Sequence, residues 1–119
     1  MKLVRDKIPG RIEKSGSTCK YHKAGSEEYK SRLYDKLREE LAEFIEAPCY
    51  EEAADIYEVF YAICEFHNMS MLKVEVEAVN KRERSGGFND RIILDSVAND
   101  EESSNDDPWA GFNNIPSGF

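Results

Sequence analysis

An all-α fold is predicted for this 119-residue chain, and three observations predict it. Apolar residues recur at three- and four-residue steps through three long segments. A turn former separates the first two segments at Ala47-Pro48-Cys49, and Gly86-Gly87 ends the third. Ser26 is followed by Glu27 and Glu28, the pattern of a helix start whose first turn carries the negative charge that the helix dipole favours.

The opening KLVRDKIP reads as an extended or turn-like lead, because Pro9 disfavours helix at Ile8. A short helical turn is expected through Arg11, Ile12 and Glu13. Gly16 between serines marks a turn, and residues 19–23 then read as a short edge strand or an extended arm. From Ser26 to about Glu46, Tyr29, Leu33, Leu37, Leu41, Phe44 and Ile45 form one apolar stripe, with Glu40 and Glu43 beside it. After Pro48, the run from Glu51 to about Asn68 places Ala54, Ile56, Val59, Phe60, Ile63, Cys64 and Phe66 on a broad apolar face. A face so wide predicts burial on more than one side, including against a second subunit. Ser70 can cap a third long helix with Leu72, Val74, Val76 and Val79 inward; Leu72, Val74 and Val76 also alternate, so a strand is the competing reading. Helix is favoured because Glu77 to Arg84 continue with good helix formers. Ile92-Ile93-Leu94 is a short strand or a packing arm.

The length suits one domain over residues 1–98, followed from Asn99 by an acidic tail that contains aromatics. The tail lacks an amphipathic period and is expected to be flexible in isolation, or to dock on a protein partner through residues 106–119. No stretch approaches the roughly 20 apolar residues that span a bilayer, and no apolar signal core follows the basic N-terminus. A soluble, cytoplasmic protein with no membrane association is expected. Cys19, Cys49 and Cys64 are odd in number and lack CxxC spacing, which favours reduced structural thiols over a disulfide framework or a zinc site. His22 and His67 are isolated in the sequence and read as surface residues.

The net charge of −8 is segregated. Residues 1–38 carry 11 Lys/Arg against five Asp/Glu, residues 39–77 carry one Lys against 11 acids, and residues 78–94 are again basic. The acidic middle contains two carboxylate pairs at helical spacing, Glu40/Glu43 and Glu52/Asp55. Residues three apart share a helix face, and antiparallel helices would bring the two faces together. Four carboxylates so gathered repel unless a cation holds them, and an all-oxygen set favours Mg²⁺, with Mn²⁺ as the alternative, over Zn²⁺. Basic flanks around such a site suit a polyanionic ligand such as a nucleoside polyphosphate. The overall negative charge and the absence of a recognisable motif argue against nucleic acid as the partner.

Glu39-Glu40-Leu41-Ala42-Glu43 followed by Glu52-Ala53-Ala54-Asp55 resembles the ExxE…ExxD signature of the MazG-like all-α nucleoside triphosphate pyrophosphohydrolases. KLVRDKIP at 2–9, the segment 51–59, and Lys81 with Gly86-Gly87-Phe88 before Ile92 are similar to a subgroup related to phosphoribosyl-ATP pyrophosphohydrolase. The resemblance covers residues 2 to about 94 in order. It implies a MazG-like helical bundle completed as a homodimer or homotetramer, with short extended arms at its N- and C-terminal ends. The implied activity is Mg²⁺-dependent cleavage of a nucleotide between its α and β phosphates, giving a nucleoside monophosphate and pyrophosphate, in a house-cleaning role. A phosphoribosyl-ATP-like substrate is the second enzymatic expectation.

On that resemblance Glu40, Glu43, Glu52 and Asp55 would hold the metal, and Glu39 or Glu40 would serve catalysis, with Glu39 as the first general-base candidate and Glu51 or Glu58 behind it. Arg5, Lys7, Lys81 and Arg84 are the candidate phosphate-binding residues; pairing with Asp6 or other acids is the alternative for Arg5 and Lys7. Phe88 and Tyr61 are candidates for stacking on a base. Two features depart from the subgroup: Ser85 stands directly before Gly86-Gly87-Phe88 where an arginine is usual, and the link between the two acidic pairs is short. A catalytically idle helical adaptor that binds a protein partner through the tail is the expectation of a different class.

Overall fold

The computed structural model describes residues 1–98, which contain four helices and no strand. They are α1 (Ile8–Lys14), α2 (Ser26–Glu46), α3 (Tyr50–Phe66) and α4 (Met71–Ser85). The expectation for the tail, including its docking segment 106–119, falls outside the described residues. By compactness the chain separates into one unit, Met1–Met71, and a second that begins at Leu72.

The first unit is organised by the α2–α3 hairpin. Pro48 disfavours helix at Ala47, whose backbone sits at φ −142°, ψ 80°, and this ends α2. Cys49 is extended and hands over to α3, with Ala53 N–H bonded to the Cys49 carbonyl at 3.0 Å. So short a link forces the helices antiparallel, which brings Tyr29 near the start of α2 against Phe66 at the end of α3. The far end of α3 closes in a Schellman motif: Met69 N–H bonds to the Cys64 carbonyl at 2.8 Å and Asn68 N–H to the Glu65 carbonyl at 3.0 Å. Asn68 supplies the left-handed residue that this motif requires, at φ 58°.

Several local expectations need correction. Helix α1 begins at Ile8, so Pro9 lies in the first turn, where its missing N–H would have had no helical partner. The N-cap of α2 is Gly25, and Ser26 is already helical, with no side-chain cap hydrogen bond. Residues 19–23 and 92–94 form no strand. The apolar stripe of α2 is not uniformly inward: Leu33 is buried, but Leu41 is exposed and Ile45 is 77% exposed.

In the second unit, α4 is a helix rather than the alternative strand, and Gly86 at φ 85° follows it. Leu72, Val76 and Val79 were expected inward and are exposed. Phe88, Ile92 and Ile93 are exposed as well. Among the described residues, no helix is long and apolar enough to cross a membrane.

Candidate functional site

One buried polar residue stands out in the first unit. Glu40, on α2, is only 5% exposed, and with Leu33 and Cys64 it is one of three described residues classed as buried. Burial lifts its carboxyl above the ordinary value of 4.5; the Lys36 ammonium opposes that shift, and the charges of Glu43 and Asp55 reinforce it.

Antiparallel packing brings Glu52 and Asp55 of α3 to Glu40. One carboxylate oxygen from each of the three lies within 4.8 Å of the others. Glu40 Oε2 and Glu52 Oε2 are both shut off from solvent with no hydrogen-bond partner. An unsatisfied buried acceptor is costly, by about 1–3 kcal/mol and more when charged. Two such oxygens lie in this one group of three carboxylates. The donors are all carboxylate oxygens, so Glu40, Glu52 and Asp55 could hold a hard divalent cation.

Glu43 was expected as the fourth ligand and is not part of this close group. It is exposed, and its influence reaches Glu40 through charge alone. The other sequence candidates divide by location. Arg5 donates from Nη2 to Asp55 Oδ1 at 2.7 Å, and this hydrogen bond holds its guanidinium above the usual value. Lys7 is exposed and lines the pocket described below. Glu39 is half-buried and lies between two ammonium groups, 3.6 Å from Lys36 Nζ and 3.8 Å from Lys2 Nζ. Glu51 and Glu58 are exposed, and Glu58 also lines the pocket. Tyr61 lines the pocket too, whereas Phe88 belongs to the second unit. Lys81 and Arg84 are on α4 in that unit, where Arg84 Nη2 lies 3.8 Å from Glu77 Oε1. His22 pairs with Glu28 at 2.9 Å, and His67 with the Tyr34 hydroxyl at 2.6 Å.

Lys36 is the residue that sequence reasoning missed. Its Nζ lies 3.2 Å from Glu40 Oε1, and its side chain is 17% exposed. Burial by itself would lower its pKa; the hydrogen bond to Glu40 and the charge of Glu39 outweigh that and hold it above the ordinary value. The signal was available, because Lys36 precedes Glu39 and Glu40 by three and four residues on one helix.

Glu40 and Asp55 face a pocket of about 480 Å³ within the first unit. The N-terminal segment and α1 form one wall and contribute Arg5, Lys7 and Arg11. Tyr29 and Leu33 of α2 with Val59 and Ala62 of α3 supply apolar surface. The pocket thus combines carboxylates, cations and an apolar floor in one concavity, the mixture expected of a small-molecule site. Compared with protein-family models, with curated proteins and with solved structures, the chain matches none of them.

Proposed function

We propose that the chain is a divalent-metal-dependent nucleotide pyrophosphohydrolase that cleaves a nucleoside triphosphate between its α and β phosphates. The observation that carries the reading is the pair of buried, unpartnered oxygens of Glu40 and Glu52 gathered with Asp55. Lys36 and Arg5 each engage one oxygen of the group and leave Oε2 of Glu40 and of Glu52 open to a cation, and the cation-lined pocket at Glu40 and Asp55 suits the phosphates of a nucleotide.

A Mg²⁺ or Mn²⁺ ion bound there would neutralise phosphoryl oxygens and lower the pKa of a water. The chain's own residues do the rest. Lys36 holds Oε1 of Glu40, leaving Oε2 as the free donor. Glu39 is the first candidate to accept the proton of the attacking water, with Glu58 on the pocket wall as the next. Arg5, Lys7 and Arg11 can meet the phosphate chain, and the apolar floor can carry the nucleoside.

The proposal includes assembly with a second copy of the chain. Leu33 and Cys64 are the buried apolar residues of the described part, far too little to hold a domain of this size. Leu41, Ile45, Tyr57 and Phe60 lie exposed along the hairpin and supply apolar surface for such an interface. Sedimentation at micromolar concentration should give a dimer or tetramer; a monomer would remove this part of the proposal.

The test is pyrophosphate release from a panel of canonical and modified nucleoside triphosphates with Mg²⁺, alongside a Glu40→Gln, Asp55→Asn double variant. Metal-dependent release that the double variant lacks supports the enzyme. No turnover together with no calorimetric Mg²⁺ binding favours the adaptor.

A further inference from the structure

The N-terminal segment is tied to the carboxylate site by charge. Lys2 Nζ lies 3.8 Å from Glu39 Oε1, and Arg5 Nη2 lies 2.7 Å from Asp55 Oδ1. Residues 1–5 belong to no regular element, and the side chains of Lys2 and Arg5 are both more than half exposed. Within the three-carboxylate group the partners are unequal. Glu40 is held by the mostly buried Lys36 of its own helix, Glu52 has a buried oxygen with no partner, and Asp55 is held by a cation on a non-helical segment. Arg5 therefore occupies the place on Asp55 where a metal's positive charge would otherwise act.

We propose that Arg5 is a built-in surrogate cation: it holds Asp55 while the group lacks a metal, leaves when a divalent cation enters, and turns from the pocket wall to the phosphate chain of the nucleotide. The proposal rests on the metal-site reading above and assigns Arg5 a second position in the same pocket. Two physical facts support the exchange. The contact with Asp55 is a single, half-exposed ion pair, which water and salt weaken. A divalent ion beside Asp55 would also repel the guanidinium that shares the carboxylate. Once released, Arg5 remains tethered beside Lys7 and Arg11, which line the same pocket.

The experiment is calorimetric titration of the metal alone, Mg²⁺ or Mn²⁺, into the full chain and into Arg5→Gln, Lys2→Gln and Asp55→Asn. Loss of an exposed competitor should tighten metal binding in Arg5→Gln by about three- to fivefold. Lys2→Gln removes the same charge from the same segment, but its partner is Glu39, outside the close group, so it should shift affinity by less than about twofold. With Mg²⁺ present, inorganic triphosphate used as the probe should bind Arg5→Gln more weakly. Equal or weaker metal binding in Arg5→Gln overturns the proposal, and so does equal tightening in Lys2→Gln, which would mark a general charge effect. Metal binding that Asp55→Asn abolishes but Arg5→Gln leaves unchanged removes the surrogate and keeps the site. Metal binding by none of the four proteins removes the site and the surrogate together.

Discussion

The two ends of the α2–α3 hairpin differ in what they leave unfinished. At the end away from the connecting turn, Tyr29 meets Phe66 edge-on at 5.8 Å, Phe66 meets His67 at 5.2 Å, and the Tyr34 hydroxyl pairs with His67 Nε2 at 2.6 Å. That end is complete: aromatic surface is covered by aromatic surface, and its polar atoms have found each other. Toward the turn, the same two helices place three carboxylates together and leave two buried oxygens without partners. One end stabilises the hairpin, and the other gives up stability to keep two buried oxygens unpaired, which the proposed metal would complete. Departures from local consistency of this sort are expected where a protein does its work.

The largest test of that division is catalytic. Glu52→Gln leaves the hairpin's shape intact but removes the charge of a buried donor, and pyrophosphate release should fall by about 100-fold or more. Circular dichroism should show the helices retained. The metal should also stabilise the fold itself: at a free Mg²⁺ concentration 100 times its Kd, linkage predicts about 2.7 kcal/mol, read as a rise in Tm that Asp55→Asn lacks. Phe66→Ala is the counterpart at the aromatic end. Because Phe66 is only half-buried, the cost should be about 2 kcal/mol in denaturant unfolding, below the usual range for a buried ring. Its metal affinity should equal that of the unaltered chain.

The carboxylate end also predicts a pH dependence in the presence of chelator. Burial lifts the native pKa of Glu40 above 4.5, so the native state holds that proton more tightly than the unfolded chain does. The stabilisation from the bound proton is complete below the unfolded value and is lost as pH rises through the native value. At pH 7 the unaltered chain should therefore be less stable than Glu40→Gln, by a margin on the order of 1 kcal/mol. Denaturant midpoints measured from pH 7 down to 4.5 should show that gap closing. A gap that widened as pH fell would mean that Lys36 stabilises the Glu40 carboxylate more than burial opposes it.

How much of this was legible in the sequence depends on whether a feature is periodic or relational. The long helices were readable, because the spacing of Tyr29, Leu33 and Leu37 is a property of one segment. The same spacing also included Ile45, which is exposed; periodicity names a face and does not say what covers it. Pro9 was read as a breaker of helix at Ile8, yet it sits in a helix's first turn. At the site, the structure brings Glu52 and Asp55 to Glu40, while Glu43, expected beside Glu40, stands outside that close group. A helix turns about 100° per residue, so a step of three falls about 60° short of a full turn and a step of four overshoots by about 40°. A step of three also joins Glu52 to Asp55, so spacing alone offered both Lys36 and Glu43 to Glu40 and did not choose between them. The tie between Arg5 and Asp55 crosses 50 residues and carries no local signal.

The smallest effect tests whether the two ends act independently. Tyr34→Phe deletes the hydroxyl paired with His67 and keeps the ring, whose stacking on the imidazole at 6.1 Å and 20° is undisturbed. Both groups are at the surface, so water can replace the lost bond and the loss of stability should be about 0.5 kcal/mol, at the low end for a hydrogen bond. The variant lies well along α2 from Glu40 and should leave Mg²⁺ affinity unaltered in calorimetry, as expected for sites that share no partner. A change in metal affinity larger than the change in stability would show that the hairpin transmits the state of one end to the other. The aromatic end would then be part of the site's control, and its completeness would have to be explained by function as well as by folding.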